Sequence, residues 1–485
     1  MAALLLAACA PPATQVPPTT QPPTAAPVVV EAPTPDPLQP TALPTRGRWP
    51  FGTLLPYVVQ SGDTLAAVAA HFNTTADAII AANPDVAFSA STLAPGLALT
   101  IPASFAALLG SPFQIIPDSE LVYGPAQVGY DLQAAIDARG GWLAQYQETN
   151  DGALRPAWEI LHRIGLQYSI NPRLMAALLE YRSGVVTGFP QNDSEVTGLL
   201  GIADGGGASL GGQLRQVARI LSDGYYGWRA GTLVEVSLAD GRVSRIDPWQ
   251  NAGTVALHHL FASWYGADEF DAATGPEGFA ATYKALFGDP FESARPLMGA
   301  DLAQPALQLP FEPDKVWAYS GGPHPAWDAS LPWAALDFAP PAVVTGCGFS
   351  MEWVTAMADG VVARSEDAAV VLDLDRDGDE RTGWAILYYH LRTDALPPVG
   401  AVVRAGDPLG HPSCDGGRAT GSHVHVARKY NGEWLAADGF IPFDLSGWVA
   451  QAGVEPYDGR LVFDFPAQQL TACPCVRADN HIALP

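Results

Sequence analysis

Between Trp353 and Tyr430 the chain breaks into short runs: Trp353 to Ala363, Ala369 to Asp373, Trp384 to Leu391, Ala401 to Arg404 and Val424 to Tyr430, separated by Gly and Pro. Runs of that length and even spacing predict an antiparallel sheet rather than helices. The last run follows Gly421-Ser422-His423-Val424-His425, and residues two apart on a strand share a face, so both imidazoles project into one space. His390, His324 and Asp337 add three more groups of the same chemical kind. A catalytic zinc keeps three protein ligands and leaves a fourth position to water. Five ligand-type side chains in three segments exceed a structural zinc site and predict a hydrolytic one.

At 485 residues the chain is too long for one core, and two or three domains with linkers are expected. The net charge is −25, from 50 acidic against 25 basic residues, and no basic run tracks phosphates. Nucleic acid is therefore not an expected partner. Residues 10–52 are crowded with Pro, Thr and Ala and predict an extended linker, roughly 3.1 Å per residue where it adopts polyproline II. No run of about 20 apolar residues predicts a membrane span.

Leu6-Ala7-Ala8-Cys9 resembles the lipobox of bacterial lipoproteins, although residues 1–9 lack a basic region and have a short apolar one. The resemblance implies lipidation at Cys9, a membrane anchor and an extracytoplasmic location.

From Tyr57 the order is an alternating strand, a Gly62-Asp63-Thr64 cap before a helix carrying Leu65, Val68 and Ala69, a second helix stopping at Asn83-Pro84, and a closing strand at Leu97 to Pro102. This resembles the lysin motif (LysM) over essentially its whole length, with its Ser-Gly-Asp-Thr-Leu signature and closing Leu-Thr-Ile-Pro. The resemblance implies a β-α-α-β module at 53–104 that binds N-acetylglucosamine. Gly62, Asp63, Thr64, Asn83, Pro84 and Asp85 would hold the acetamido groups.

Residues 105–300 read mainly helical, with Asn171-Pro172 as N-cap and first helical residue and Leu174, Met175, Leu178 and Leu179 as an apolar stripe. The segment through Ser183-Gly184, with Gly198-Leu-Leu-Gly201 after it, resembles lysozyme-like transglycosylases faintly. Arg182 stands where that family has its acid, and Glu180 falls opposite the stripe, facing solvent or a cleft.

The order Gly-Gly-Pro-His324, Ala-Leu-Asp337-Phe, Ala358-Asp-Gly-Val-Val362, Tyr389-His390-Leu391, Gly406-Asp-Pro-Leu-Gly410 and Thr420-Gly-Ser-His-Val-His425 resembles the lysostaphin-like zinc peptidases. The match extends over roughly 315–450. A first histidine and aspartate 13 positions apart point to its β-lytic and staphylolysin branch. The resemblance implies that His324, Asp337 and His425 hold zinc while His390 and His423 flank the attacking water. It implies hydrolysis of peptide bonds in peptidoglycan, with the LysM raising local substrate concentration. Asp328 also satisfies a His-X3-Asp spacing after His324, but lacks the apolar context of Asp337.

Asp373, Asp375, Asp377 and Asp379 open like a calcium loop, yet position twelve is Trp384 rather than an acid, so a solvated hairpin is an equal reading. Beyond Cys9, Cys347, Cys414, Cys473 and Cys475 suggest disulfides, with Cys473 and Cys475 not expected to pair with each other. The expected architecture is a multidomain chain: an α+β LysM, a mainly α middle domain, a mainly β antiparallel-sheet peptidase at 301–465 and a tail at 466–485. Two other functions fit the same residues. One is a catalytically weak wall-binding scaffold or activator of other hydrolases, and the other is a bifunctional protein whose middle domain cleaves glycan.

Overall fold

Side-chain alternation on one sheet decides how the two largest parts of the chain meet. The computed structural model describes residues 50, 52–88, 93–102, 110–190, 197–201, 209–341, 346–464, 466–475 and 477–484, all within the unit Pro44–Pro485. Cys9, the signal at 1–9 and nearly all of the 10–52 linker lie outside the described residues.

The LysM pairs β1 (Leu54–Val58) with β2 (Ala98–Pro102) antiparallel, with α1 (Leu65–His71) and α2 (Ala76–Ala82) between them. Thr64 caps α1 by accepting from the Ala67 amide, as the Gly-Asp-Thr pattern predicts. Tyr57, Val68, Phe72, Ile79, Leu99 and Ile101 form its small core.

The middle region is built on α3 (Ala157–Tyr168), α4 (Pro172–Ser183), α5 (Leu210–Arg229) and α6 (Ala252–Trp264). Asn171 caps α4 through its side chain, and Pro172 is its first residue. The Glu180 side chain is half-buried and folds back on its own chain. Its carboxylate accepts from the amides of Val186 and Thr187 and from the Thr187 hydroxyl, which fastens the turn after α4.

The C-terminal sheet contains β3 (Trp317–Pro325), β4 (Trp333–Ala339), β5 (Gly360–Glu366), β6 (Ala369–Asp373), β7 (Trp384–Tyr389), β8 (Val402–Val403), β9 (Val424–Tyr430), β10 (Glu433–Trp434) and β11 (His481–Ile482). Among the described residues its order is β8-β5-β6-β7-β9-β4-β3-β11, with β10 on β9. Val370, Leu372, Ile386, Tyr388, Val424 and Val426 point into the core of the sheet domain. Their neighbours Ala369, Val371, Ala385, Leu387 and Ala427 point the other way and join the helical core. The period of two thus gives the sheet two buried faces, and the small residues on one let helices approach closely. The expected tail at 466–485 is not detached, because β11 pairs with β3 as an edge strand.

A buried charge cluster ties the two parts together. Glu380 accepts from Arg364 Nε at 2.5 Å and from Lys429 Nζ at 3.1 Å, and Lys429 also donates to the Leu166 carbonyl of α3 at 2.9 Å. Burial opposes ionisation of Glu380, but the Arg364 and Lys429 charges overcome it and hold its carboxyl at about 2, below its ordinary 4.5. A depressed acid stabilises the fold above its unfolded pKa, so this contribution is present above pH 4.5 and is lost as pH falls towards 2. Glu380→Gln strands two buried cations and is expected to cost about 3–5 kcal/mol at pH 7. Urea melts should show that loss, together with a flatter decline in stability below pH 4.5 than in the wild type.

Two disulfides form among the described residues. Cys347 pairs with Cys414 at a Cα separation of 5.6 Å. Cys473 pairs with Cys475, against expectation: Cys475 donates its amide to the Cys473 carbonyl, and Asn480 Nδ2 donates to both carbonyls. That turn shortens the Cα separation to 5.1 Å, inside the range a disulfide spans.

Candidate metal and catalytic centre

Strand register sets the centre. His425 on β9 lies directly opposite Asp337 on β4, Asp337 opposes Gly321 on β3, and Tyr389 on β7 opposes His425 from the other side. Cross-strand neighbours on one face have Cβ atoms about 5 Å apart, close enough to share an ion. His324, later on β3, brings its Nε2 to 2.9 Å from His425 Nδ1. Asp337 Oδ1 lies 3.3 Å from the first nitrogen and 3.2 Å from the second.

Backbone carbonyls settle which ring nitrogens face this point. A carbonyl only accepts, so His324 donates Nδ1–H to Gly322 O at 2.7 Å and His425 donates Nε2–H to Ala326 O at 3.0 Å. The facing nitrogens are then lone-pair donors, and Asp337 Oδ1 is buried with no hydrogen-bond partner. Three such donors repel unless a cation sits among them. Two imidazole nitrogens and a carboxylate oxygen, each ring oriented by a carbonyl, are the kinds of donor that a catalytic zinc takes.

Gly321 is needed for this arrangement, because a Cβ there would lie 2.6 Å from Asp337 Oδ2. Gly321→Ala is expected to weaken metal binding about 10- to 100-fold, as perturbing a ligand's support does, with the fold retained. Competition with a chromogenic chelator would measure it.

His390 and His423 stand beside the donors, ring centroids 4.5 Å apart. His423 donates Nδ1–H to Gly421 O and His390 donates Nδ1–H to Asp415 O, leaving both Nε2 atoms free of the backbone. His390 leaves β7 with φ 64, a left-handed conformation that costs a non-glycine residue about 1–3 kcal/mol and turns its ring into the site. Burial pushes its pKa down to about 3, with the His423 and His425 rings adding to the effect, so it rests neutral.

All five groups line one cleft of about 1320 Å³. Phe349 and Met351 stand exposed on its rim, on a segment held by the Cys347–Cys414 disulfide and by Ser422, which bonds to the carbonyls of Gly346 and Gly348. Sequence reasoning missed Tyr457, whose ring stacks on His324 at 4.1 Å from a distant loop. No local pattern marks it. Asp328 is removed from the centre: its carboxylate accepts from Tyr168 of α3 at 2.9 Å. That bond and one from the Leu331 amide to Asp223 hold the loop whose Ala326 carbonyl orients His425.

The family model for the LysM domain matches residues 57–102, and that for the LasA N-terminal domain matches residues 114–300. Protease LasA of Pseudomonas aeruginosa (strain UCBPP-PA14) is 27% identical over 369 residues, spanning 70% of this chain and 79% of the relative. The chain is a metalloendopeptidase with a LysM, and it is similar to the lysostaphin-like peptidases. A beta-lytic metalloendopeptidase of Achromobacter lyticus is 27% identical over 180 residues, 35% of this chain and 44% of the relative. The solved M23 metalloprotease pseudoalterin, from the deep sea, is 25% identical and covers 36% of this chain and 100% of its own, with a TM-score of 0.30.

Elsewhere in the metalloendopeptidase the expected ligand residues fare unevenly. Asp373, Asp375 and Asp377 converge, but Asp379 turns away to pair with Arg381 at 2.6 Å. A hydrogen bond with Asp373, and then burial, push the Asp375 carboxyl up to about 7. In the LysM, Pro84 and Asp85 are exposed, whereas Gly62, Asp63 and Asn83 are buried. Asn83 is tied to Ile79 and Thr100, and Asp63 accepts from Tyr57 and Gln60.

Proposed function

We propose that the chain hydrolyses peptide bonds of bacterial peptidoglycan, with zinc held by His324, Asp337 and His425 and with the LysM bringing it to wall glycan. The observation that carries this reading is the convergence of two lone-pair imidazole nitrogens and an unpaired buried carboxylate oxygen on the floor of an open cleft. Zinc, when bound, polarises a carbonyl and acidifies water. His390 and His423 each tie Nδ1–H to a carbonyl and turn Nε2 to the cleft. Such a nitrogen can take the proton of the attacking water, and the imidazolium so formed donates to the tetrahedral oxyanion and then hands the proton to the leaving amine. Tyr457 packs the His324 ring in place, and the carbonyls of Gly322 and Ala326 keep the ligand tautomers.

The filled positions weigh against the scaffold reading. Glycan cleavage by the middle domain has no support at Glu180, whose carboxylate is spent on three local bonds. The test is reconstitution: purified protein should take up a single zinc per chain and clarify a suspension of cross-linked peptidoglycan. Folded protein that binds no zinc and leaves the suspension turbid would overturn the reading.

A further inference from the structure

The signature loop of the LysM, expected to face sugar, is covered by the rest of its own chain. The Ser61 hydroxyl donates to the Met298 carbonyl at 3.0 Å and accepts from the Met298 amide at 2.8 Å. Gln60 Nε2 donates to the carbonyls of Trp249 and Gln250 at 3.2 and 3.1 Å. The Arg229 guanidinium, at the end of α5, donates to the Ser61 carbonyl and lies so close over Gly62 that a Cβ there would run into it.

Contacts behind the loop extend the joint. His71 stacks on Trp228 with centroids 3.5 Å apart, and its Nε2–H donates to the Trp228 carbonyl at 3.0 Å. Arg245 reaches the carbonyls of Ala70 and His71, each at 3.3 Å. Trp249 packs against the module's core, its ring edge-on to Phe72 and its Nε1 donating to the Pro56 carbonyl at 2.9 Å. Gly231 fits against Ala67 and Ala70 with no room for a side chain.

We propose that Trp228–Gly231, Trp249–Gln250 and Met298 form a docking surface for the Gln60–Asp63 loop, and that an N-acetylglucosamine oligomer competes with this surface for the loop. Glycan capture then requires the LysM to undock. This rests on the glycan-binding reading of the module.

The surface is built to persist without the module. Arg229 also contacts Asp118 at 3.2 Å, Glu433 at 3.3 Å and the Tyr225 hydroxyl at 2.7 Å, so undocking leaves its charge paired. The second sugar loop stays open at Pro84 and Asp85, where a glycan can make first contact. Apparent affinity falls by the fraction of molecules that are undocked, so a docked majority weakens binding by that factor.

The test titrates the full chain with chitohexaose and follows amide hydrogen exchange. Ala70→Glu places a charged side chain where Gly231 packs, away from both sugar loops, and is expected to bind the hexamer at least tenfold more tightly than the wild type. Arg245→Ala removes two bonds at the back of the module and should shift affinity in the same direction. In the wild type, hexamer should raise exchange at residues 225–231. Equal affinities, with 225–231 still protected in hexamer-bound wild type, would overturn the docking competition. No hexamer binding by an undocked but folded Ala70→Glu chain would instead overturn the glycan reading, and this proposal with it.

Discussion

His425→Ala is expected to leave the purified chain without zinc and to lower kcat/KM by about 1000-fold or more. The substitution removes one of three donors and opens the floor of the cleft. The remaining pair, His324 and Asp337, leaves two donors where a catalytic zinc takes three protein ligands. A bound metal supplies several kcal/mol of transition-state stabilisation, and each 1.4 kcal/mol is about tenfold in rate, which sets the expected size. Metal analysis beside hydrolysis of a defined peptide separates this from misfolding. A variant with full zinc and near wild-type rate would remove His425 from the centre.

His390→Ala and His423→Ala should behave differently. Each is expected to keep its zinc and to lose about 100- to 10,000-fold in kcat, the usual worth of a positioned acid or base, with KM little changed. Their combination should cost less than the product of the two, because the residues act as a unit on one water and one oxyanion. The left-handed backbone of His390 gives a further sign: His390→Gly relieves that strain, so the protein should melt no lower than His390→Ala while remaining as inactive. Loss of zinc in either alanine variant would move that residue from the chemistry to the ligand set.

The five chemical groups were legible because strand alternation is short-range and the surrounding motifs are specific. His425 and His423 two apart, and Asp337 in an apolar run, announce themselves in any window of ten residues. What stayed hidden depends on register and on distant partners. That Asp337 falls opposite both His425 and Gly321 is a property of pairing among β3, β4 and β9. Tyr457 reaches His324 from across the domain, and Ala326 orients His425 only because Tyr168 and Asp223 hold its loop. The LysM signature was legible as a fold. Its covering was not, because Arg229, Trp249 and Met298 lie more than a hundred residues away. A helical wheel left Glu180 facing solvent or a cleft, because it cannot show a chain that turns back to meet the carboxylate. The Cys473–Cys475 bond escaped for a similar reason: extended spacing keeps such residues apart, and only the turn held by Asn480 brings them together.

Mass spectrometry of fragments released from defined, cross-linked peptidoglycan by the zinc-loaded chain tests the central claim most directly. Cleavage should create new amino termini within stem or bridge peptides, leave glycan strands uncut, and cease when zinc is chelated. New reducing sugar ends, or fragments that appear equally in the presence of chelator, would contradict it.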